Sequence, residues 1–237
     1  MKLKICGMKF PENIVQVANL KPDYLGFIFY EKSKRNFEGI IPEIDASIKK
    51  TGVFVNELPE IVVSIIEEYQ LDAIQLHGDE SVEYLQLLKE NLRKAELDAA
   101  SHYVRSKKNK GPKRKNLNQV EFIKVFGIKD DFNFEALQPY LDVVDYFLFD
   151  TKGKERGGNG VQFNWQVLEK YSYSIPYFLS GGIGVEDINQ IDSFLKQPNA
   201  KYCVGIDVNS KFEESPGKKK IIELEKFKNN IKELRGF

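Results

Sequence analysis

The feature that most constrains this chain is a series of eight short apolar runs, separated by longer polar or amphipathic segments. Runs rich in β-branched and aromatic residues are typical of strands, and continuous rather than alternating apolarity favours parallel strands covered on both faces. The sequence therefore predicts an α/β protein with a parallel sheet. The eight runs are Leu3 to Cys6, Tyr24 to Phe29, Gly52 to Val55, Ala73 to Leu76, Phe122 to Phe126, Tyr146 to Phe149, Tyr177 to Leu179 and Tyr202 to Ile206.

Eight strand–helix units in 237 residues fit a (β/α)8 TIM barrel better than an open doubly wound sheet, which usually has fewer strands. Such barrels commonly fill about 200 to 250 residues. We therefore predict a single barrel domain over residues 1–237 with an outer helical ring. Amphipathic spacing predicts helices at Pro59 to Gln70, Ser81 to Leu97 and Val185 to Leu195.

One segment interrupts this repeat. Between Ala99 and Gln119, seven basic residues, the first Arg105 and the last Lys115, surround Gly111-Pro112, and no acidic residue lies among them. Their composition predicts a long exposed loop inserted into the barrel, and solvated charge is its simplest role.

Composition narrows the possible partners and compartment. Lys and Arg number 35, as do Asp and Glu, so the chain as a whole has no bias toward nucleic acid or an anionic membrane. The N-terminus lacks the pattern of a signal peptide, and no apolar stretch approaches the roughly 20 residues of a membrane span. We expect a cytoplasmic protein that binds neither nucleic acid nor membrane.

The few cysteines and histidines predict a reduced protein without a metal. Two cysteines cannot build a multi-bridge disulfide framework. The spacing of the two cysteines and two histidines is not that of a zinc site. Cys203 lies inside the eighth run and is predicted to be a core residue. Gly157 to Gly160 has the wrong spacing for a dinucleotide fingerprint, so we expect no cofactor and interpret this segment as a flap over the site.

Polar residues at the ends of the runs indicate where the site lies. The strands of a parallel barrel point their carboxyl ends to one mouth, so Cys6, His77, Asp150 and Asp207 should lie close together. Loop formation alone does not explain a thiol, an imidazole and two carboxyls at such positions. Cys6 and Asp150 together predict paired acid–base chemistry. His77 either donates to a substrate or satisfies a loop carbonyl.

The loops after the seventh and eighth runs carry small residues whose backbone N–H groups can approach an anion. They contain Gly181 and Gly182 in the first loop and Asn209 and Ser210 in the second. An isolated Gly-Gly would indicate only a tight turn, but barrels often bind phosphate between these two loops. We therefore predict a phosphorylated substrate. Arg35 offers a planar fork for a carboxylate, although a solvated surface charge is the simpler interpretation.

Several short motifs follow one another in a fixed order along nearly the whole chain. They are Lys4-Ile5-Cys6-Gly7, Gly26-Phe27 with Ser33 and Arg35, Gly52 to Asn56, Gln75-Leu76-His77-Gly78, Asp150, Gly157 to Gly160 with Phe163 and Trp165, Leu179 to Gly182, and Asp207 to Ser210. In this order they resemble the motifs of the phosphoribosylanthranilate isomerase family of tryptophan biosynthesis. Each motif is weak alone, but the ordered set is specific.

The resemblance implies an Amadori rearrangement of N-(5'-phosphoribosyl)anthranilate to 1-(2-carboxyphenylamino)-1-deoxyribulose 5-phosphate. Asp150 matches the family's general acid, which protonates the furanose ring oxygen. Cys6 matches the base that then removes the C2 proton. A partly buried carboxyl can stay protonated and a thiol can become a thiolate, so the residue chemistry is compatible with these roles.

The resemblance also implies a set of substrate-binding residues and a small phosphorylated molecule as the partner. We expect the protein to act as a monomer or a homodimer. Gly181, Gly182, Asn209 and Ser210 would bind the phosphate. Asp207 and His77 would contact or orient the sugar end, and Arg35 would hold the anthranilate carboxylate.

The chain departs from the family pattern near its end. Lys211-Phe212 stands where glycine and an aliphatic residue are frequent, and Lys218 to Lys220 lacks an acidic residue often found there.

Two rival functions stay open. A sugar-phosphate isomerase of histidine biosynthesis would be expected to carry an aspartate in place of Cys6. A non-catalytic barrel could bind an anionic polymer through Arg105 to Lys115, but that stripe lacks interleaved aromatic residues.

Overall fold

Eight parallel strands close into a barrel in the computed structural model, which describes residues 1–105, 115–151 and 163–234. Strand order follows chain order, and β1 closes the barrel against β8 by pairing Lys2 with Gly205 and Ile5 with Val208. The predicted (β/α)8 fold is confirmed. The strands are β1 (Lys2–Ile5), β2 (Tyr24–Ile28), β3 (Lys49–Phe54), β4 (Ala73–Leu76), β5 (Glu121–Ile128), β6 (Tyr146–Thr151), β7 (Tyr177–Leu179) and β8 (Cys203–Val208).

The strands coincide with the predicted runs, and the largest difference is at the start of β3. This strand begins at Lys49 rather than Gly52, because Lys49 pairs with Tyr24 and Lys50 with Leu25. Two charged residues carry no apolar signal, yet their backbone groups extend the ladder. A prediction from apolar side chains therefore places the start of such a strand too late.

In the described residues, five α-helices lie outside the barrel. Proline occupies the first helical position of α1 and α2, where its missing N–H costs no hydrogen bond. Val62 and Ile66 of α2 are buried, so the predicted amphipathic face packs inward. The helices are α1 (Pro11–Asn19), α2 (Pro59–Tyr69), α3 (Val82–Arg105), α4 (Ile188–Leu195) and α5 (Ile221–Glu233).

Within the described residues, the expected α-helix is absent after three of the strands, β2, β5 and β6. Residues 29–48 after β2 contain no helix, and the described residues after β5 and β6 form 3-10 turns at Phe134–Tyr140 and Trp165–Lys170. Proline explains two of these, since Pro42 and Pro139 lack a backbone N–H and restrict the preceding residue.

The irregular segment predicted from Ala99 begins later than expected. α3 continues to Arg105, because the residues from Lys94 to Ala100 are mostly strong helix formers. Residues 106–114, the centre of the basic segment, lie outside the described residues, as does the flap predicted at Gly157 to Gly160. Lys115 is described: its Nζ donates to the Gln70 carbonyl oxygen (3.1 Å) and pairs with Asp72.

Aromatic residues pack against one another inside the barrel. Tyr24 of β2 and Phe178 of β7 meet edge to face at 5.4 Å, although their strands are not neighbours. They can touch only through the inside of the barrel, which is therefore a packed core. Cys203 is fully buried, as predicted. None of the described helices has the length and apolarity needed to cross a membrane.

Candidate active site

One cavity opens at the carboxyl ends of the barrel strands, and it collects every site residue predicted from the sequence. Because parallel strands share this end, residues far apart in the chain become neighbours. The predicted residues that line the cavity are Cys6, Arg35, His77, Asp150, Gly181, Gly182, Asp207, Asn209 and Ser210.

Cys6 is the first residue after β1 and is 4% exposed. Its backbone N–H donates to the Val208 carbonyl oxygen at 2.9 Å, which fixes the residue against the end of β8. Burial raises the pKa of the thiol, and the nearby ammonium of Lys4 acts in the opposite direction. Cys6 is therefore mainly a thiol at neutral pH, next to a cation that favours the thiolate.

Asp150 lies near the end of β6 and is buried. Burial and the nearby Asp207 carboxylate raise its pKa to about 7, although the Thr151 N–H donates to Asp150 Oδ1 at 2.8 Å and acts to lower it. A substantial fraction of Asp150 is thus protonated at neutral pH. A carboxyl in this state can give a proton to a substrate.

The loop after β7 approaches Asp150 closely and needs glycine to do so. Gly181 has φ +95°, and a Cβ there would lie 2.3 Å from Thr151 Oγ1 and 3.0 Å from Asp150 Oδ1. Any side chain would clash with the strand end that carries the acid. The glycine thus allows the proposed phosphate loop and the acid to share one small mouth.

Lys4 is a site residue that sequence reasoning did not single out. It is fully buried in β1, and its Nζ donates to Asp207 Oδ1 at 2.9 Å. Burial acts to lower the pKa of Lys4, but the pairing with Asp207 outweighs it and raises the pKa. Ser180 Oγ donates to the other oxygen, Asp207 Oδ2, at 3.1 Å. The sequence signal that could have indicated a buried Lys4–Asp207 ion pair was a lysine inside an apolar run.

His77 follows β4, and its Nε2 lies 3.6 Å from Asp150 Oδ2. The loop behind it is fixed by Glu80, whose Oε1 accepts from the backbone N–H groups of Asn56 and Gly78 at 2.9 Å each. Lys124 Nζ donates to Glu80 Oε2 at 2.9 Å, and both side chains are buried. The structure therefore aims the imidazole at the acid rather than leaving it in solvent.

Gln75, at an inward position of β4, is a second residue that sequence reasoning missed. It is 2% exposed and lines the cavity, and its Oε1 has no hydrogen-bond partner among the described residues. Buried polar atoms are normally paired, so an orphaned oxygen in a cavity wall suits a ligand that donates. Gln75 belongs to the Gln75 to Gly78 motif, and this position was the sequence signal that could have identified it as a candidate site residue.

The simpler interpretation of Arg35, as a solvated surface charge, is wrong because the side chain is mostly buried and paired. Its side chain is 16% exposed, and Nη2 and Nε donate to the Glu213 carboxylate at 2.7 and 3.0 Å. Such a bidentate pair fixes the plane of the guanidinium. Sequence spacing could not reveal it, because 178 residues separate the two partners.

The two loops proposed to hold phosphate are neighbours at the mouth, because β7 pairs with β8. The loop after β7 leads into a 3-10 turn at Val185–Asp187 and then α4, while Asn209 and Ser210 follow β8 directly. Lys211 also lines the cavity, and its Nζ pairs with Glu186 at 3.1 Å. In the described parts of the chain, no three His, Cys, Asp or Glu side chains are arranged to hold a metal ion.

A buried thiol and a half-protonated carboxyl at the mouth of a barrel define an acid–base enzyme of the (β/α)8 class. A family model described as N-(5'phosphoribosyl)anthranilate (PRA) isomerase matches residues 3–108 and 106–230. The chain belongs to the phosphoribosylanthranilate isomerase family, which confirms the prediction of an isomerase of tryptophan biosynthesis and disfavours both rival functions.

Individual relatives agree with the family match. The N-(5'-phosphoribosyl)anthranilate isomerase of Parabacteroides distasonis is 37% identical, over 99% of this chain and 93% of its own length. The phosphoribosyl anthranilate isomerase structure from Thermotoga maritima has a TM-score of 0.73 and 28% identity, covering 98% of this chain and 99% of that one.

A further solved isomerase is described in complex with reduced 1-(o-carboxyphenylamino)-1-deoxyribulose 5-phosphate. It has a TM-score of 0.71 and 25% identity, and the match covers 98% of this chain and 99% of that one.

Proposed function

We propose that this protein converts N-(5'-phosphoribosyl)anthranilate to 1-(2-carboxyphenylamino)-1-deoxyribulose 5-phosphate, with Asp150 as general acid and Cys6 as general base. The observation that carries the proposal is the pairing of these two buried groups in one cavity, with a pKa of about 7 for Asp150. The reaction needs one group that gives a proton and one that takes a proton; protonated Asp150 would supply the first and the ionised form of Cys6, favoured by Lys4, the second.

Asp150 acts first in the proposed sequence. Its carboxyl proton goes to the furanose ring oxygen, the bond between that oxygen and C1 breaks, and the nitrogen lone pair forms the C1=N iminium. The ring opens with a hydroxyl at C4. Asp150 is left as a carboxylate, and the positive charge of the iminium makes the neighbouring C2 proton acidic.

Cys6 acts second. Its thiolate takes the C2 proton, and the electrons of the broken C–H bond form the C1=C2 bond of an enolamine while nitrogen becomes neutral. Tautomerisation then gives the C2 ketone. Lys4 lies next to Cys6 and supports its ionised form, which burial alone would disfavour.

The rest of the cavity suits the two ends of this substrate. The loops that carry Gly181, Gly182, Asn209 and Ser210 would receive the phosphate, and Arg35 would bind the anthranilate carboxylate. His77 and Asp207 would contact or orient the sugar end. The product analogue bound to a solved relative supports this assignment, since it carries both a phosphate and an aromatic carboxylate.

The decisive experiment follows the fluorescence of the anthranilate substrate with purified protein and no added metal or nucleotide. We expect wild-type protein and Cys203→Ala to turn over, because Cys203 is a buried thiol outside the cavity. Cys6→Ala and Asp150→Asn should lose nearly all turnover. An inactive wild type, or full activity in both site variants, would overturn the proposed function.

The oligomeric state, monomer or homodimer, and the cytoplasmic location stay predictions. Light scattering coupled to size-exclusion chromatography would check the first, and cell fractionation the second.

A further inference from the structure

Building on the proposed carboxylate-binding role of Arg35, we propose that Glu213 and Lys219 form a positioning pair. They hold the Arg35 guanidinium in the orientation that reads the substrate carboxylate, and they connect it to Asn209 on the phosphate side. Neither residue lines the cavity, so each acts through a residue that does.

Glu213 holds one edge of the Arg35 guanidinium. Nε lies 3.0 Å from both carboxylate oxygens, and Nη2 lies 2.7 Å from Oε2. The Glu213 side chain is only 5% exposed. A guanidinium has two edges that can each bind a carboxylate. With the Nε edge on Glu213, the Nη1–Nη2 edge is the one left for a ligand, because no described residue accepts a hydrogen bond from Nη1.

Lys219 connects this pair to the other end of the site. Its Nζ donates to Glu213 Oε1 at 2.7 Å and to Asn209 Oδ1 at 2.7 Å, and its side chain is fully buried. Its backbone is anchored to α1, since Lys219 N donates to Asn13 Oδ1 at 2.7 Å and Asn13 Nδ2 donates to Lys219 O at 3.0 Å. The ammonium is thus held between Glu213, which binds Arg35, and Asn209, which lines the cavity.

Close packing against one glycine couples Arg35 and Asn209 further. Gly7, directly after Cys6, has φ +74°, and a Cβ there would lie 2.7 Å from Asn209 Oδ1 and 2.8 Å from Arg35 Cδ. Both side chains therefore rest on the same backbone position, beside the proposed base.

The charge balance of this cluster fits a single substrate carboxylate. With Lys219 protonated, Arg35 and Lys219 carry two positive charges and Glu213 one negative charge, which leaves one positive charge. Burial lowers the pKa of Lys219, and its contact with Glu213 opposes that shift. Burial acts to raise the pKa of Glu213, but Arg35 and Lys219 outweigh it and lower the pKa, so Glu213 is ionised. Removing its charge would leave two buried cations and a guanidinium without its orienting partner.

The test compares Glu213→Gln with Glu214→Gln, a matched control at the next residue, whose carboxylate is 53% exposed and pairs with the exposed Lys218. Each variant is assayed with the anthranilate substrate and with an analogue that lacks the carboxyl group. We expect Glu213→Gln to lower kcat/KM for the carboxylated substrate by about tenfold or more, and for the analogue by less than about twofold. Glu214→Gln should change neither.

A double-variant cycle separates positioning from general loss of structure. If Glu213 acts through Arg35, adding Glu213→Gln to Arg35→Lys should cost little beyond Arg35→Lys alone. Equal losses on both substrates, or losses that simply multiply in the double variant, would overturn the proposal. Glu213→Asp keeps the charge and serves if Glu213→Gln does not fold; the same discrimination between substrates, at smaller size, is expected.

The same data distinguish this proposal from the role of Arg35 on which it builds. If Arg35→Lys does not reduce the preference for the carboxylated substrate, Arg35 does not read the carboxylate. If Arg35→Lys reduces that preference and neither Glu213 variant does, only the positioning pair is wrong.

Discussion

At the scale of single residues, the site depends on burial that stabilises a neutral acid. Asp150 is among the few buried carboxyls of the described chain, and it lies close to Asp207, whose charge is already paired with Lys4. Asp150 has no ammonium bonded to it in the described structure, and burial together with the Asp207 carboxylate raises its pKa to about 7, so it takes up a proton near neutral pH. The two carboxyls in the mouth thus differ in their partners: Asp207 is paired with an ammonium and Asp150 is not.

This asymmetry predicts a pH-dependent cost to stability. The pKa of Asp150 rises from 3.8 in the unfolded chain to about 7 in the folded protein. The stabilising contribution of the neutral carboxyl is therefore fully present below pH 3.8 and is lost as the pH rises to about 7. At about 1.4 kcal/mol per pH unit, the loss is on the order of 4 kcal/mol as an upper limit.

Asp150→Asn should escape this loss. We expect the variant to be more stable than wild type at pH 8, by one to several kcal/mol, and nearly equal in stability at about pH 3.5, while its turnover collapses at every pH. Urea denaturation at both pH values measures the difference. A difference in unfolding free energy that does not change with pH would contradict a raised pKa for Asp150.

Cys6→Ala should separate catalysis from binding. A general base commonly contributes about 10²-fold to 10⁴-fold to the rate, and a thiol adds little binding energy. We expect kcat to fall by that factor while the affinity for a product analogue changes little. Steady-state kinetics and calorimetric titration give the two numbers, and a large loss of affinity would point to a structural role instead.

At the scale of elements, buried ion pairs fix the loops that follow the strands. Glu80 and Lys124 connect the loop after β3, the loop after β4 and strand β5, and Tyr140 Oη donates to the Glu80 carbonyl oxygen at 3.0 Å. This arrangement holds the loop that carries His77. It matters to function because the imidazole lies beside Asp150.

Lys124→Met should destabilise the protein by about 3 kcal/mol, because it leaves the Glu80 carboxylate buried without its cation. Lys196→Met is the control: it removes an exposed i,i+4 pair with Asp192 and should cost less than about 0.5 kcal/mol. Urea denaturation measures both. A cost for Lys124→Met no larger than that of the control would show that the pair does not brace these loops.

At the scale of the whole molecule, the site exists only in the closed barrel. Its residues come from the ends of β1, β4, β6, β7 and β8 and from the loop after β2. A ligand that binds this assembly has no comparable site in the unfolded chain, so binding must stabilise the fold.

The reduced product analogue at about 100 times its Kd should add about 2.7 kcal/mol to the unfolding free energy. For a chain of this size that corresponds to a rise in Tm of about 5 to 10 °C. Its dephosphorylated form at the same concentration should raise Tm much less. Equal shifts in thermal scans would show that the loops after β7 and β8 do not bind the phosphate.

The amino-acid sequence by itself determined the class of fold and the end of the barrel at which the candidate site residues meet. Apolar runs that recur with intervening helices predict a barrel, and residues at strand ends must share its mouth, so the pairing of Cys6 with Asp150 follows from the sequence alone. These properties are local: they depend on hydrophobic periodicity and on the common direction of parallel strands.

Only the tertiary structure decided how the charges are paired. Lys4 meets Asp207 across 203 residues of sequence, and Arg35 meets Glu213 across 178. Ion pairing depends on distances of about 3 Å between side chains that barrel closure brings together, and no local pattern in the sequence records those distances. The pKa of Asp150 follows in the same way, because burial and the neighbouring charges exist only once the chain has folded.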